Sequence, residues 1–474
     1  MLPIRFALRN AKKDFESGFA AIREEFGVPA HHPPRVQREA ARRAREFQPG
    51  ERVDLRRLPF VAIDPPGSRD LDQAYFAEQH GNGYRVWYAI ADVAGFVSAG
   101  DVVDGEARGR GVTLYAPDRN SPLHPAVLSE GAASLLPGRE RPAVVWQLDL
   151  DGDGLLHEVW VQRALIRNRE AISYGEAQRR IDSGASEPAL VLLREIGELR
   201  LTREQARGGV SISLPSQEVE RVDETYALTY DTVLPAERWN AQISLLTGIA
   251  AARLMLDAGV GVLRTLPPPD PEVLESLRRR AGALRLRWPT DQSYPDFVRG
   301  LDPDVAENAA MLTQSMRALR GAGYEAFDGS PPAVIGHAGV ASSYAHVTAP
   351  LRRLVDRYGL EVAMAAHEGR RPPGWALSAL EDLPEIMGAA RRRERGFERA
   401  IVDLVETVVL GCRVGEEFPA VVVDRHKDTT TVMLREPAII ARAADGRAAG
   451  LGDEVVVRVA GADPAKRQVE LELV

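Results

Sequence analysis

Cysteine, lysine and long apolar runs are what this 474-residue sequence has least of. Cys412 is the only cysteine, so no intramolecular disulfide can form and a thiolate metal cage is excluded. That usage suits a reducing compartment, and the cytoplasm is the expected location. No stretch approaches about 18 uncharged apolar residues, so no membrane-spanning helix is expected. The first residues, MLPIRFALRNAKKDF, are broken by Arg5, Arg9, Lys12 and Lys13 and lack the apolar core of a secretory signal. Lysine supplies only four of the 60 basic residues, at positions 12, 13, 427 and 466. Arginine suits bidentate phosphate contacts, although a composition rich in Ala, Gly, Pro and Arg also fits GC-rich coding.

What is present is ordinary for a globular chain. Hydrophobic residues make up 45% and charged residues 27%, which argues against a disordered, collagen-like or membrane-embedded protein. The length suits about three domains, or one large catalytic domain with small appendages. The net charge of −8 is uneven: residues 1–58 hold 13 basic and 8 acidic residues, and residues 411–474 hold 9 and 11. The ends therefore carry +5 and −2, leaving −11 for the middle. A basic end beside an acidic body suits a protein that grips a polyanion in one place and metal ions in another.

Apolar spacing predicts an amphipathic helix over 12–27, with Phe15, Phe19, Ile22 and Phe26 on one face, and a second, arginine-rich helix over 35–47. A helix-turn-helix nucleic-acid module and a helical flap packed on the main body both fit this pair. From Phe60 the pattern changes to short strands, FVAID, AYFAE and YRVWYAIADVAGFV, followed by a hairpin around Asp151-Gly152-Asp153-Gly154. That acidic turn imitates the start of a calcium loop, but the twelfth position is Trp160, so calcium is rejected. Helices are predicted over 170–205, 235–258, 272–286, 304–321, 350–368 and 384–410. Residues 411–474 hold five strand-like runs, the count and size of an OB barrel. The expected fold class is α+β, a mixed sheet core wrapped by helices, divided into 1–57, 58–410 and 411–474.

Chemistry concentrates in two places. In Ile63-Asp64-Pro-Pro-Gly-Ser-Arg69-Asp70-Leu71-Asp72-Gln73, three carboxylates fall within nine residues between two strands. They repel one another unless a cation holds them, and oxygen donors without His or Cys suit Mg2+ or Mn2+. In Ser343-Tyr344-Ala345-His346-Val347-Thr348-Ala349-Pro350-Leu351-Arg352-Arg353, hydroxyl, imidazole and guanidinium groups gather before a helix that Pro350 is expected to open. His346, Thr348, Arg352 and Arg353 are candidate phosphate contacts, and an Arg352–Asp356 pair at i+4 is the structural alternative.

The acidic run, then ADVAGFV, then DGEARGRGVTLYAPDRNSPLHPAVLSEGAASLLPG, then YAHVTAPLRRLVD, resemble in order the RNB catalytic domain of the ribonuclease II and ribonuclease R exoribonucleases. The resemblance covers roughly residues 58–410, and the C-terminal segment is similar to the RNA-binding barrel that follows RNB domains. It implies hydrolysis of single-stranded RNA with a free 3′ end to nucleoside 5′-monophosphates, by a Mg2+-dependent two-metal mechanism. It further implies that Asp64, Asp70 and Asp72 bind metal, with Asp72 the carboxylate most needed for cleavage. By the same resemblance Arg352 contacts the phosphate, Tyr115 stacks on the terminal base, Tyr174 lies near the ribose and Glu398 belongs to the site. No membrane and no obligate protein partner are expected, and the chain is expected to act as a monomer.

Four departures stand out. The acidic motif of the family usually ends in two Asp residues, and the second here is Gln73. If it is a weakened ligand, Gln73→Asp should sharpen metal dependence. Ala349 replaces the usual Ser, Ile212 the aromatic expected opposite Tyr115, and Ala241 and Gln242 a pair of Glu residues expected near 240. The usual N-terminal cold-shock barrels do not fit in fifty-odd residues. The competing reading is an RNB-fold protein with impaired metal affinity that holds RNA without cutting it.

Overall fold

The apolar runs from Phe60 to Val97 and the hairpin around 151–154 assemble into one mixed sheet. The computed structural model describes residues 3–184, 187–210, 212, 217–222, 225–231, 233–426, 429–444 and 449–474. The sheet strands are β1 (Val53–Asp54), β2 (Val61–Ile63), β3 (Gln73–His80), β4 (Gly83–Ala91), β5 (Glu140–Leu150), β6 (Leu156–Arg167) and β7 (Glu170–Ile172). Their order is β1-β6-β5-β4-β3-β2-β7. β1 runs parallel to β6 and β2 to β7, and the other neighbours are antiparallel.

A two-residue side-chain period splits this sheet between two cores. Val86, Tyr88 and Ile90 of β4 and Val144, Trp146 and Leu148 of β5 face one, and Ala89, Ala91, Ala143, Val145, Ala164 and Ile166 face the other. Both faces are therefore covered, and the central strands read as near-continuous apolar runs.

The helices are α1 (Pro3–Glu25), α2 (Pro34–Glu46), α3 (Val102–Arg110), α4 (Tyr174–Asp182), α5 (Pro188–Ala206) and α6 (Pro235–Ala258). They continue with α7 (Pro271–Ala283), α8 (Tyr294–Arg299), α9 (Ala306–Ser315), α10 (Leu354–His367), α11 (Gly374–Leu380) and α12 (Leu383–Gly411). The segment expected as one helix over 170–205 is thus a short strand and two helices. The helix expected from 350 opens at Leu354, so Pro350 and Arg352 lie in the turn before it. Two two-stranded antiparallel sheets complete this part: the hairpin of β8 (Gln217–Val222) with β9 (Thr225–Tyr230), and β10 (Val260–Thr265) with β11 (Gly323–Asp328), whose connection holds α7, α8 and α9.

The first two helices lie on the body of the protein. Phe15 and Phe19 of α1 meet the ring of Tyr226 edge-on at 5.0 and 5.2 Å, and Arg23 binds both carboxylate oxygens of Asp118 at 2.6 and 3.0 Å. Val36 and Ala40 of α2 enter the second core beside Phe60 and Leu351. At the other end, β12 (Glu417–His426), β13 (Thr429–Leu434), β14 (Ile439–Ala444), β15 (Glu454–Asp463) and β16 (Gln468–Leu473) close into a barrel in the order β12-β13-β14-β16-β15. These are the five runs read from the sequence, and the closed five-stranded barrel is consistent with an OB fold.

α6 is apolar enough by length and composition to cross a membrane, with a mean hydropathy of 1.2 over 18 residues. It runs through the first core, with Ile243, Leu246, Ala250, Ala251 and Met255 fully buried. Gly248 on this helix lets the 343–348 segment come close: Ala345 N donates to the Gly248 carbonyl at 3.0 Å. A Cβ at 248 would lie 2.1 Å from the Tyr344 ring and 2.6 Å from the Ala345 oxygen. Gly248→Ala should therefore lower stability by about 1–3 kcal/mol despite its better helix propensity. Denaturant unfolding checks this, and a variant as stable as the parent would contradict the close approach.

Candidate active site

β2 ends at Ile63, and Asp64 still donates its backbone N–H to the Ile172 carbonyl at 3.1 Å. Pro65, Pro66 and Gly67, whose φ of +80° suits glycine, turn the chain back toward β3. The return is fastened by Ser134: its hydroxyl accepts from Leu71 N at 3.0 Å and donates to the Arg69 carbonyl at 2.7 Å. Leu71 is buried in the second core. The Asp72 carbonyl accepts from Ala91 N at 2.9 Å as the β3–β4 ladder begins. Asp64, Asp70 and Asp72 are thereby brought near one another, and Asp70 acts electrostatically on both of the others.

Facing them is the turn before α10, built around the fully buried carboxylate of Asp356. It accepts from Ala349 N at 2.7 Å and from both ends of the Arg353 guanidinium at 2.7 and 2.8 Å. The alternative pairing of Arg352 with Asp356 is not formed: Asp356 takes Arg353, and Arg352 turns to Asp72 with 3.5 Å between Nε and Oδ2. Asp72 is 4% exposed, and its Oδ1 accepts from Leu351 N at 2.7 Å. The same turn positions Tyr115. Val112 bridges Arg353, Thr113 N donates to the Arg352 carbonyl at 2.9 Å, and the Tyr115 hydroxyl donates to Asp70 Oδ2 at 3.0 Å. The Tyr115 ring remains 40% exposed.

Burial pushes the Asp72 carboxyl well above the ordinary range; the Arg352 guanidinium and the Leu351 amide oppose the rise, while Asp356 and Asp70 add to it. Burial likewise raises Asp64 to about 6, against Arg352 and with Asp70. Two carboxyls that resist ionisation beside a single guanidinium form a site short of positive charge. Its donors are oxygen only, which fits a hard divalent cation. No ready cage stands, however: among the described residues no group of three or more His, Cys, Asp or Glu side chains is placed to hold an ion.

Two clefts share Tyr115. The outer, about 600 Å³, is also lined by Gln217, Val219, Arg395, Glu398 and Arg399. Burial and Glu394 raise the Glu398 carboxyl there. The inner, about 500 Å³, contains Arg352, Arg353 and His346 in its wall. Burial and neighbouring guanidiniums hold the His346 ring well below the usual imidazole range, so it is neutral, and it pairs through Nδ1 with the Tyr324 hydroxyl at 2.8 Å. Thr348 lies beneath the surface instead: its hydroxyl meets Ser244 at 2.9 Å and its carbonyl accepts from Gln73 at 2.7 Å. Tyr174 opens α4 beside Asp64 and hydrogen-bonds Asn240; burial and Asp64 raise its hydroxyl to about 12.

The departures resolve structurally. Gln73 forms a clasp: its amide nitrogen serves Thr348 and its oxygen accepts from the Tyr88 hydroxyl at 2.5 Å. Ala349 is fully buried and works through its backbone. Ile212 packs on the cluster of α7, α8 and α9 with Leu277, Tyr294 and Phe297. Ala241 is exposed and Gln242 bonds Glu204 of α5, so neither faces the site. The face of α6 that does carries Asn240 and Ser244, which sequence reading missed; their spacing of four, away from Gln242, is the signal that could have found them.

The RNB domain family matches residues 52–361, and the RNase II-type exonuclease C-terminal S1 domain matches residues 416–474. Ribonuclease R of Vibrio cholerae is 27% identical over 517 residues, covering 94% of this chain and 60% of the relative. Ribonuclease R of Escherichia coli is 29% identical over 405 residues, covering 78% and 48%. The chain thus spans about half to three fifths of the length of these relatives. The solved structure of Mycoplasma genitalium RNase R in complex with ribose methylated single-stranded RNA superposes with a TM-score of 0.86 at 19% identity, covering 97% of this chain and 78% of that one.

Asp64 and Gln73 give opposite expectations for stability. A carboxyl raised to about 6 on folding costs nothing below pH 4, and its cost grows as pH rises through 6. In metal-free buffer Asp64→Asn should raise the melting temperature at pH 8 and leave it unchanged below pH 4; an equal shift at both would contradict the buried, uncompensated carboxylate. Gln73→Asp removes the donor to Thr348 and should cost about 1–3 kcal/mol without sharpening metal dependence. A gain in metal affinity at undiminished stability would restore the ligand reading.

Proposed function

The chain belongs to the RNB family, and from that membership we propose that it degrades single-stranded RNA from a free 3′ end to nucleoside 5′-monophosphates in a Mg2+-dependent two-metal hydrolysis. The observation that carries this is the meeting of buried Asp72 with Arg352 at the wall of a cleft rimmed by Tyr115. Arg352 is set to steady charge on the scissile phosphate, because Asp356 is already satisfied by Arg353 and leaves it free to point toward Asp72. Tyr115 offers a half-exposed ring for the terminal base, a contact worth roughly 1–3 kcal/mol. Tyr174 and Asn240 stand beside Asp64, where a ribose hydroxyl could be read. Asp64, Asp70 and Asp72 are the residues that would hold Mg2+ or Mn2+, which when bound supplies an activated water and charge neutralisation. The setting this reading expects is a monomer in the cytoplasm, away from membranes.

A second reading, an RNA-holding protein that does not cut, is favoured by Gln73, which brings no negative charge where the family usually has a second Asp. Oligonucleotides labelled at the 3′ or the 5′ end, incubated with Mg2+, separate the two. Mononucleotides released from the 3′ label and a stepwise ladder from the 5′ label support the nuclease. Retarded but intact RNA supports the holder. Asp72→Asn should retain RNA and abolish cutting, and Arg352→Ala should slow cutting roughly 10²–10³-fold. Normal cutting by Asp72→Asn would remove Asp72 from the chemistry.

A further inference from the structure

The cleavage reading uses one wall of the inner cleft, that of Arg352 and Tyr115. The same cleft is also lined by the antiparallel β10–β11 pair and by α12, which contribute Arg264, Tyr324 and Arg391. Four guanidiniums and one carboxylate, Glu394, line the cleft as a whole. Most of these charges are accounted for: Arg353 is closed by Asp356, Arg391 binds Glu394 at 2.6 Å, and Arg352 faces Asp72. Arg264 is different. Its guanidinium lies 4.7 Å over the Tyr324 ring and donates to the Gly323 carbonyl at 3.0 Å, and among the described residues no carboxylate pairs with it. Burial and the charges of Arg391, Arg395 and Arg353 pull its pKa down, so it is a cation under repulsion that an anion would relieve.

We propose that this part of the cleft is a holding site for the phosphate of a released nucleoside 5′-monophosphate, anchored chiefly by Arg264 with Arg391 beside it. The proposal rests on the hydrolytic reading above for the identity of the ligand. A phosphate monoester carries close to two negative charges at neutral pH and presents three acceptor oxygens, which match guanidinium forks. The volume, about 500 Å³, falls in the range of small-molecule sites. The rings of Tyr324 and His346, 5.6 Å apart between centroids, both line the cleft and give it an aromatic flank, with Tyr344 packed behind His346 at 5.4 Å. A product held there stays next to Arg352, so it should compete with the next round of cleavage.

The test is calorimetric titration of the full chain in EDTA with AMP, adenosine and inorganic phosphate. AMP should bind, phosphate should compete with it, and adenosine should give no heat. Arg264→Ala should weaken AMP at least tenfold. Arg391→Ala, on an exposed helix face and so safer for folding, should weaken it several-fold. Both should keep the parent's single-turnover cleavage rate in Mg2+ while losing inhibition by added AMP. Unchanged AMP affinity in both variants, or adenosine binding as well as AMP, overturns the holding site. So does a single-turnover rate that falls in step with AMP affinity, which would place Arg264 in cleavage itself. If the parent releases no mononucleotide, the hydrolytic reading fails on its own, and the AMP titration still decides this one.

Discussion

A carboxylate kept almost out of water needs compensation, and the position of Asp72 sets that requirement for the whole site. It is fixed from three directions: its carbonyl in the β3–β4 ladder, its Oδ1 on Leu351 N, and its Oδ2 toward Arg352. At an effective dielectric of about 20, two unit charges 3.5 Å apart attract by roughly 5 kcal/mol before solvent screening of the half-exposed guanidinium. Desolvating a carboxylate costs several kcal/mol. One guanidinium therefore offsets Asp72 at best and only partly opposes the rise at Asp64, whose pKa of about 6 reports the shortfall.

A second buried acid makes the first one usable. Asp356 binds Ala349 N and the whole fork of Arg353, and so fixes the turn that carries Leu351 and Arg352. Because it is saturated by Arg353, it does not compete for Arg352. The same turn bridges to residues 112 and 113, which sets the distance between Arg352 and Tyr115. The adjacent Arg352 and Arg353 thus divide between two buried acids, Asp72 and Asp356.

Much of this was legible in the sequence, for physical reasons that differ by element. The 29-residue helix α12 and the five barrel strands carry strong apolar periods, and their existence followed from pattern alone. The convergence of Asp64, Asp70, Asp72, Tyr115 and Arg352 came from motif order, since no local rule brings residues some 280 positions apart together. What failed were rules applied outside their range. Proline at 350 predicts a helix opening there, and the alternative pairing of Arg352 with Asp356 assumes the i+4 spacing of that helix. The helix starts only at Leu354, and beyond its end the i+4 spacing has no meaning.

The clasp at Gln73 shows why a single departure from a pattern is a poor guide to lost chemistry. An Asp at that position cannot donate to the Thr348 carbonyl, whereas Gln donates there and accepts from Tyr88 at once. Thr348 in turn meets Ser244, so the amide ties β3 to the Arg352 turn and, through it, to α6. In this chain that position serves alignment, and the negative charge is left to three carboxylates instead of four. With one fewer acid to neutralise, the site needs less positive charge to reach balance. How readily such a site would take a cation then depends on how far Asp64 and Asp72 can be kept ionised, a matter of burial and of Arg352, and not on the ligand count alone.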